Sequence, residues 1–209
     1  MERAEILHVK EEAKCAIIMA CARMLAYPDT PDFATSLKET QQGLFELGFD
    51  PGHALFTALR TMLSRDPVEL AADYVSTFDL SEGTSLHLTA HELGDSRERG
   101  PALLELAQMY RIVGLVHEDD QLSDYLPYLL EMLTVAIDEH VDATLQDELE
   151  TRIAKVCRKV RDQLDDSVYR DVFAVLTATL VTSIADGGEV PSAPSYDDEE
   201  NMPYPLQYE

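Results

Sequence analysis

Positive charge is scarce in this 209-residue chain, because 16 lysine and arginine residues stand against 40 aspartate and glutamate residues and the formal net charge is −24. A nucleic-acid-binding protein needs lysine and arginine to neutralise phosphates, and an anionic membrane attracts polybasic segments. The composition therefore argues against nucleic acid and against an anionic membrane surface as partners. A positively charged partner would be attracted instead, although negative charge can also serve solubility alone.

Cysteine and long apolar runs are scarce as well. The three cysteines, Cys15, Cys21 and Cys157, form no C-x-x-C pair, and we interpret them as free thiols in a reducing compartment. The first fifteen residues are too charged for a signal peptide, and no run of about 18 apolar residues predicts a membrane span. We therefore expect a cytoplasmic protein that does not insert into a membrane.

Strand signals are missing too, because no pair of alternating segments flanks a hairpin turn. Helical periodicity dominates residues 1–185; near the N-terminus, for example, Ile17, Cys21, Met24 and Leu25 fall on one face. We predict an all-α fold, a single-domain bundle of roughly eight to ten helices with short connections.

Several helix starts follow from capping residues. Asp50 precedes Pro51 and Asp66 precedes Pro67, and an aspartate cap with proline at the first helical position is a favoured pairing. Ser123 is the predicted cap of a later helix, in which the proline at position 127 falls early enough to be tolerated.

The composition changes at Asp186. Residues 186–209 contain seven acidic residues, four prolines and no basic residue, and such a segment cannot bury enough apolar area to offset its ordering entropy. We therefore predict an all-helical domain over residues 1–185 and a disordered acidic tail over residues 186–209. Two interpretations of the tail stay open, a solvated extension and a segment that covers or tunes a surface.

Known catalytic motifs are absent, since the chain has no G-x-S-x-G, G-x-x-x-x-G-K-[ST], G-x-G-x-x-G or H-E-x-x-H pattern. His87 and His91 would share one face of a predicted helix over residues 85–93, as two metal ligands must. His117 or an aspartate would have to supply a third ligand. A helical metal-dependent hydrolase is therefore kept as an alternative hypothesis, beside the simpler interpretation of two partly exposed polar side chains.

The segment "GDSRERG", residues 94–100, is interpreted as a joint between two helices. Gly94 is predicted to take the left-handed conformation that ends a helix. Asp95 is predicted to cap the next helix while Glu98 reaches back in a capping box. Pro101 would remove a hydrogen bond, so the continuous helix can begin there.

Three stretches together resemble a known family. They are "YVSTFDLSEGTSLHLTAHELGDSRERGPALLEL", "AQMYRIVGL" and "LSDYLPYLLEML", from about Tyr74 to Leu133. They are similar to the nitrate reductase molybdenum-cofactor assembly chaperones, the delta-subunit or NarJ-type proteins, within the wider TorD-like family of redox-enzyme maturation chaperones. The resemblance to the nitrate reductase branch in particular is carried by Gly94, Asp95, Arg97, Arg99 and Gly100.

This resemblance implies an all-helical, cytoplasmic protein that is not an enzyme and holds no cofactor. Its partner would be the catalytic (alpha) subunit of a nitrate reductase, bound in the apo form through its N-terminal segment. Binding would assist insertion of the molybdenum cofactor before the enzyme docks at the membrane. Proteins that deliver the cofactor are further candidate partners, and a sulfoxide or N-oxide reductase stays open as an alternative client.

Two family motifs carry the implied peptide-binding site. The Y-x-x-L-F pattern falls on Tyr74, Thr77 and Phe78, with threonine in place of the usual leucine. The Asp-His pair before a proline falls on residues 124–127, where Tyr125 replaces the histidine of many relatives; this weakens a proton-switch role but keeps apolar area and a hydroxyl for binding. The resemblance implies that the peptide is bound by Tyr74, Thr77, Phe78, Asp79, Asp124, Tyr125, Leu126, Pro127 and Tyr128.

A groove is the physical form that we predict for this site, since an amphipathic helical peptide lays its apolar face into such a groove. Its lining would consist of Tyr74, Phe78, Leu126 and Tyr128. Asp79 and Asp124 would form a rim that attracts lysine or arginine of the peptide. The alternative interpretation is that Tyr74, Phe78 and Leu126 are ordinary core residues.

Overall fold

The computed structural model describes the backbone of residues 2–28, 31–116 and 122–180, and the side chains of residues 10–28, 32–116 and 122–180. Within these ranges the chain forms nine α-helices, two short helical turns and no β-sheet, which confirms the predicted all-α fold. The predicted tail and His117 lie outside the described residues.

The helices follow one another along the chain with short connections. They are α1 (Glu2–Leu25), α2 (Pro31–Glu46), α3 (Ala54–Ser64), α4 (Pro67–Tyr74), α5 (Leu88–Leu93), α6 (Arg99–Ile112), α7 (Leu126–Asp138), α8 (Ala143–Gln163) and α9 (Val168–Leu180). A π-helical turn (Val75–Asp79) continues α4, and a 3-10 turn (Glu82–Thr84) follows it.

Helix α1 is central to the packing, because it contacts α7, α9, α2 and α3. The predicted buried face is confirmed for Cys21, Met24 and Leu25, which are fully buried. Ile18 occupies the core position beside them, whereas Ile17 lies at its edge and is only partly buried. Each such side chain contributes about 1.5–3 kcal/mol by leaving water, so this face anchors the C-terminal helices.

The thiols are free in the structure, as predicted. Cys21 and Cys157 are buried and Cys15 is partly buried. Burial raises the pKa of the Cys15 thiol to about 11, with the Asp138 carboxylate contributing as well, so this thiol stays protonated at neutral pH.

The predicted cap at Asp66 is confirmed, since its carboxylate accepts hydrogen bonds from the backbone of Val68 at 2.9 Å and Glu69 at 3.3 Å. The predicted helix start at Asp50 is wrong. Asp50 instead accepts from the backbone of Gly52 at 2.7 Å, and this local turn competes with a helix. Helix α3 begins at Ala54, three residues after the predicted first helical residue Pro51, with His53 as its cap.

The predicted cap at Ser123 is also wrong. Its hydroxyl donates to the Leu103 carbonyl at 2.7 Å and so ties the start of α7 to α6. Helix α7 has Tyr125 at its N-cap position without a side-chain cap, and Pro127 lies in its first turn, where no backbone N–H is needed. No helix in the described ranges is both long and apolar enough to cross a membrane.

We predict that Asp66→Ala lowers the free energy of unfolding by about 1 kcal/mol, because it leaves two backbone N–H groups of α4 without their acceptor. Urea denaturation followed by circular dichroism measures the change. Asp66→Asn is the matched control and should be nearly neutral, since asparagine caps as well as aspartate; equal losses in both variants would contradict the capping role.

Candidate functional site

The carboxylate of Asp124 is completely buried, with 0% of its side chain exposed. One oxygen accepts from Nδ1 of His87 at 2.9 Å. The other accepts from the backbone N–H of Thr89 at 3.2 Å and from the Thr89 hydroxyl, and the Arg99 guanidinium lies 3.5 Å from it. A buried charge needs such partners, and all three of these residues come from the quoted stretch at residues 74–106.

Backbone pairing brings these segments to Asp124. The N–H of Leu88 donates to the carbonyl of Asp124 at 2.9 Å, and the N–H of Leu126 donates to the carbonyl of Leu86 at 2.8 Å, which forms an isolated antiparallel bridge. The backbone before Leu88 is therefore extended. The predicted helix over residues 85–93 is correct only from Leu88 onward, because pairing with residues 124–126 takes the place of its first turn.

The predicted pair of metal ligands is not formed. His87 precedes α5 and donates to Asp124, whereas Nε2 of His91 donates to the Ser85 carbonyl at 2.7 Å. In the described ranges no group of three or more histidine, cysteine or acidic side chains is arranged to hold a metal ion. The structure thus lends no support to the hydrolase hypothesis at this position.

The glycine joint ends α5 as predicted, but in a different conformation. Gly94 has φ +58° and ψ −136°, a region open essentially to glycine alone. Asp95 does not cap the next helix: Ser96 instead accepts from the N–H of Glu98 at 3.1 Å, and α6 begins at Arg99. The predicted capping box is therefore wrong.

The two arginines of this segment have different surroundings. Arg99 donates through Nε to the Thr89 hydroxyl at 3.0 Å and approaches Asp124. Arg97, Asp95 and Gly100 are exposed. Only Arg99 of the "GDSRERG" residues therefore belongs to the buried cluster, which we call the Asp124 cluster and define as Asp124, His87, Thr89 and Arg99.

The Asp124 cluster holds its carboxyl ionised. Burial alone would raise the pKa of Asp124, but hydrogen bonds from His87 and Thr89, together with the charges of His87 and Arg99, outweigh burial and place the pKa below its usual value of 3.8. Since the pKa is lower in the folded chain, the carboxylate stabilises the fold above pH of about 4, and this contribution is lost as the pH falls through the folded pKa.

The two family motifs meet through their tyrosines. The hydroxyls of Tyr74 and Tyr125 are 2.7 Å apart, and both lie near the Leu25 carbonyl at the end of α1, at 3.2 Å and 3.5 Å. Either hydroxyl can donate to the other, and the one that accepts can donate to the Leu25 carbonyl. These hydroxyls therefore provide a hydrogen bond to the Leu25 carbonyl, one of those that a helix end leaves unpaired.

Most of the predicted groove lining is core in this structure. Tyr74, Phe78, Leu126 and Pro127 are buried. The Phe78 ring contacts Tyr74, Tyr169 and Phe173, with centroids 4.9, 4.8 and 6.4 Å away. The alternative interpretation, ordinary core residues, therefore describes the placement of Tyr74, Phe78 and Leu126.

The prediction that Asp124 lies on an exposed rim is wrong, because its carboxylate is buried inside the Asp124 cluster. Asp79 is exposed and Thr77 is partly buried. The carbonyl of Thr77 accepts a hydrogen bond from the Thr84 hydroxyl, so this residue anchors the 3-10 turn to the π-helical turn.

The remaining predicted residues reach the surface as part of an aromatic cluster. Tyr125 and Tyr128 are partly buried, with ring centroids 5.1 Å apart, and Tyr27, 41% exposed, packs its ring 5.2 Å from Tyr74. Besides burial, the charge of the Asp79 carboxylate contributes to raising the pKa of Tyr74, and that of Tyr125 to about 12. We call Tyr27, Asp79, Leu80, Tyr125 and Tyr128 the tyrosine surface.

Sequence reasoning missed Tyr27 and Leu80. Leu80 directly follows Asp79 and is 78% exposed. The sequence contained a signal for it, namely an apolar residue next to the Tyr74–Phe78 motif. Tyr27 gave no such signal, because it precedes Pro28 at a helix end and joins the tyrosine surface only through the tertiary fold.

Comparisons with known proteins cover this region. A family model described as nitrate reductase delta subunit matches residues 49–170. The nitrate reductase molybdenum cofactor assembly chaperone NarJ of Escherichia coli K12 is 36% identical over 123 residues, which are 56% of this chain and 50% of the relative. The protein of Bacillus subtilis 168 named "Probable nitrate reductase molybdenum cofactor assembly chaperone NarJ" is 30% identical over 162 residues, 77% of this chain and 86% of the relative.

The matched part thus spans half the length of the Escherichia coli relative. The family match contains the Asp124 cluster and most of the tyrosine surface, whereas Leu25 and Tyr27 precede it.

We predict that Asp124→Asn lowers the free energy of unfolding at pH 7 by about 1–3 kcal/mol, since it leaves Thr89 and the partly exposed His87 and Arg99 without their carboxylate. Thermal and urea denaturation between pH 3 and pH 7 measure the change. Acid sensitivity should also fall in the variant, because the group that must be protonated is gone. Asp79→Asn, at an exposed aspartate, is the control and should cost less than about 0.5 kcal/mol.

We predict that Tyr125→Phe costs about 1 kcal/mol of stability, and that combining it with Tyr74→Phe costs less than the sum of the two, because both changes break the same hydrogen bond. A double-mutant cycle in urea measures the coupling. Combining Tyr125→Phe with the distant Asp66→Ala should instead be additive. Additivity in both cycles would refute the tyrosine pair.

Proposed function

Because the chain belongs to the nitrate reductase delta-subunit family, we propose that it is an assembly chaperone for a nitrate reductase. In this proposal it binds the N-terminal segment of the apo catalytic (alpha) subunit in the cytoplasm and assists insertion of the molybdenum cofactor before the enzyme docks at the membrane. It acts by binding rather than by catalysis, and it holds no cofactor of its own. Relatives that are named as nitrate reductase molybdenum cofactor assembly chaperones support this role.

The observation that carries the proposal is the meeting of the two motifs at the 2.7 Å contact between the Tyr74 and Tyr125 hydroxyls. Their convergence leaves a surface of partly exposed aromatic rings above a buried aromatic layer. Rings placed in this way supply contact area at low entropic cost and keep a polar end for hydrogen bonding.

The chemistry of the tyrosine surface fits an amphipathic peptide with basic residues. Tyr27, Tyr125 and Tyr128 offer apolar area, and Leu80, directly after Asp79 in the chain, adds an exposed aliphatic side chain. Asp79 supplies an exposed carboxylate at the same place. A helical peptide can pack its apolar face on the rings, while its lysine or arginine residues pair with Asp79 and are steered by the net charge of −24.

The predicted peptide-binding residues then divide into two roles. Asp79, Tyr125 and Tyr128 contact the peptide, with Thr77 at the edge. The buried members hold those residues in position from below, and they are Tyr74, Phe78, Asp124, Leu126 and Pro127. Their substitution would act through folding, so the contact residues give the sharper test.

We predict that a peptide copying the N-terminal segment of a nitrate reductase catalytic subunit binds with a dissociation constant in the micromolar range or tighter. Tyr128→Ala should weaken binding roughly tenfold, since truncating an aromatic anchor costs more than about 1 kcal/mol. Asp79→Asn should weaken it less, and the difference from the unchanged chain should shrink at high salt. Isothermal titration calorimetry measures all three.

Two controls make the titration specific. Phe45→Ala removes an exposed ring on α2 that makes no ring contact with the tyrosine surface in the described part of the chain, and it should leave the affinity unchanged. Peptides from sulfoxide and N-oxide reductase catalytic subunits test the alternative clients. Equal binding of all three peptides would reject client specificity, and an equal loss in Phe45→Ala and Tyr128→Ala would reject the tyrosine surface as the site.

A further inference from the structure

Helix α8 concentrates basic residues that are scarce elsewhere. Residues 151–161 contain five of the sixteen basic residues of the chain and no acidic one. They are Arg152, Lys155, Arg158, Lys159 and Arg161. A helix dipole favours cations in the last turn only, whereas Lys155 lies about two turns before the end of α8 at Gln163. The dipole therefore does not account for the whole segment.

Two of these residues have acidic partners within the domain. Arg152 forms a bidentate pair with Glu92 at 3.0 and 2.9 Å, and Arg161 pairs with Asp162 at 2.8 Å. The positive charges of these two arginines are thus partly neutralised by neighbouring carboxylates.

The other three cations have no carboxylate within 4.0 Å in the part of the chain that the structure describes. Lys159 donates to the backbone carbonyl of His91 at 2.9 Å, and Arg158 donates to that of Ala154 at 3.2 Å. Lys155 and Lys159 are exposed and Arg158 is partly buried. We call Lys155, Arg158 and Lys159 the basic face of α8.

The chain carries a segment of opposite charge within reach of this face. Asp197, Asp198, Glu199 and Glu200 form an uninterrupted acidic run. Helix α9 packs beside α8, where the Arg161 guanidinium donates to the Thr177 hydroxyl at 3.1 Å. Asp197 follows the last described residue, Leu180, by seventeen positions, which span up to roughly 56 Å when extended. The whole of α8 is only about 31 Å long.

We propose that the acidic run 197–200 binds the basic face of α8 in the same molecule. Four carboxylates would meet three cations, and a short tether gives an effective concentration in the millimolar range, so even weak ion pairing is populated. The bound tail shields a basic face on an otherwise acidic protein, so that other polyanions do not occupy it. The acidic tail is then a ligand of its own domain rather than a solvated extension.

Zero-length carbodiimide cross-linking of the full chain tests this directly, because it joins a lysine amine to a carboxylate only when the two are in contact. The proposal expects monomeric products that link Lys155 or Lys159 to residues 197–200. Lys10 and Lys38 are also exposed and serve as internal references, which should give roughly fivefold fewer links or less. The preferred links should fall at 0.5 M NaCl, since exposed ion pairs are screened.

A charge-reversal pair provides a second measurement on the full chain. Lys155→Glu with Lys159→Glu should increase the fast motion of residues 197–200 in the ¹⁵N heteronuclear NOE, because the tail is repelled. Lys10→Glu with Lys38→Glu changes the net charge equally and should leave the tail unchanged. Links spread evenly over the four exposed lysines, links found only in dimers, or equal NOE changes in both double variants would overturn the proposal.

Discussion

The rest of the site depends on the burial of one negative charge. The Asp124 carboxylate has no exposure and is held by His87, Thr89 and Arg99. Removing such a charge from water costs several kcal/mol unless its partners are in place. The extended segment before α5 and the start of α6 must therefore assemble on residue 124 together. This assembly also fixes the adjacent Tyr125, so that its hydroxyl lies 2.7 Å from that of Tyr74.

In this arrangement the residues that support the site are different from the residues that are exposed at its surface. Below the surface lie the Asp124 cluster and a layer of buried rings around Phe78. Above them, the tyrosine surface keeps apolar area and a carboxylate in water. A rigid base under exposed aromatic residues is what pre-organised recognition requires, because fewer side chains lose freedom on binding. The motifs that resemble the family thus contribute mainly to the base, and the residues that we propose to bind the peptide lie on its exposed edge.

Much of the fold followed from helical periodicity, whereas three of the four predicted aspartate or serine caps were wrong, for local reasons. Asp66 caps a helix, whereas the carboxylate of Asp50 accepts a hydrogen bond within a turn that ends at Gly52. The helix expected over residues 85–93 lost its first turn to pairing with residues 124–126. Asp124 reads as a polar surface residue in sequence, since its three partners are distant along the chain. Tyr27 was missed for the same reason, because only tertiary packing brings it to Tyr74.

The central claim is that the tyrosine surface is where the client segment docks. Hydrogen–deuterium exchange of the full chain, with and without the N-terminal peptide of a nitrate reductase catalytic subunit, tests it most directly. The account predicts slower exchange on binding at residues 74–80 and 125–130, with α6 unchanged. Protection confined to other helices, with no change at those two segments, would contradict it.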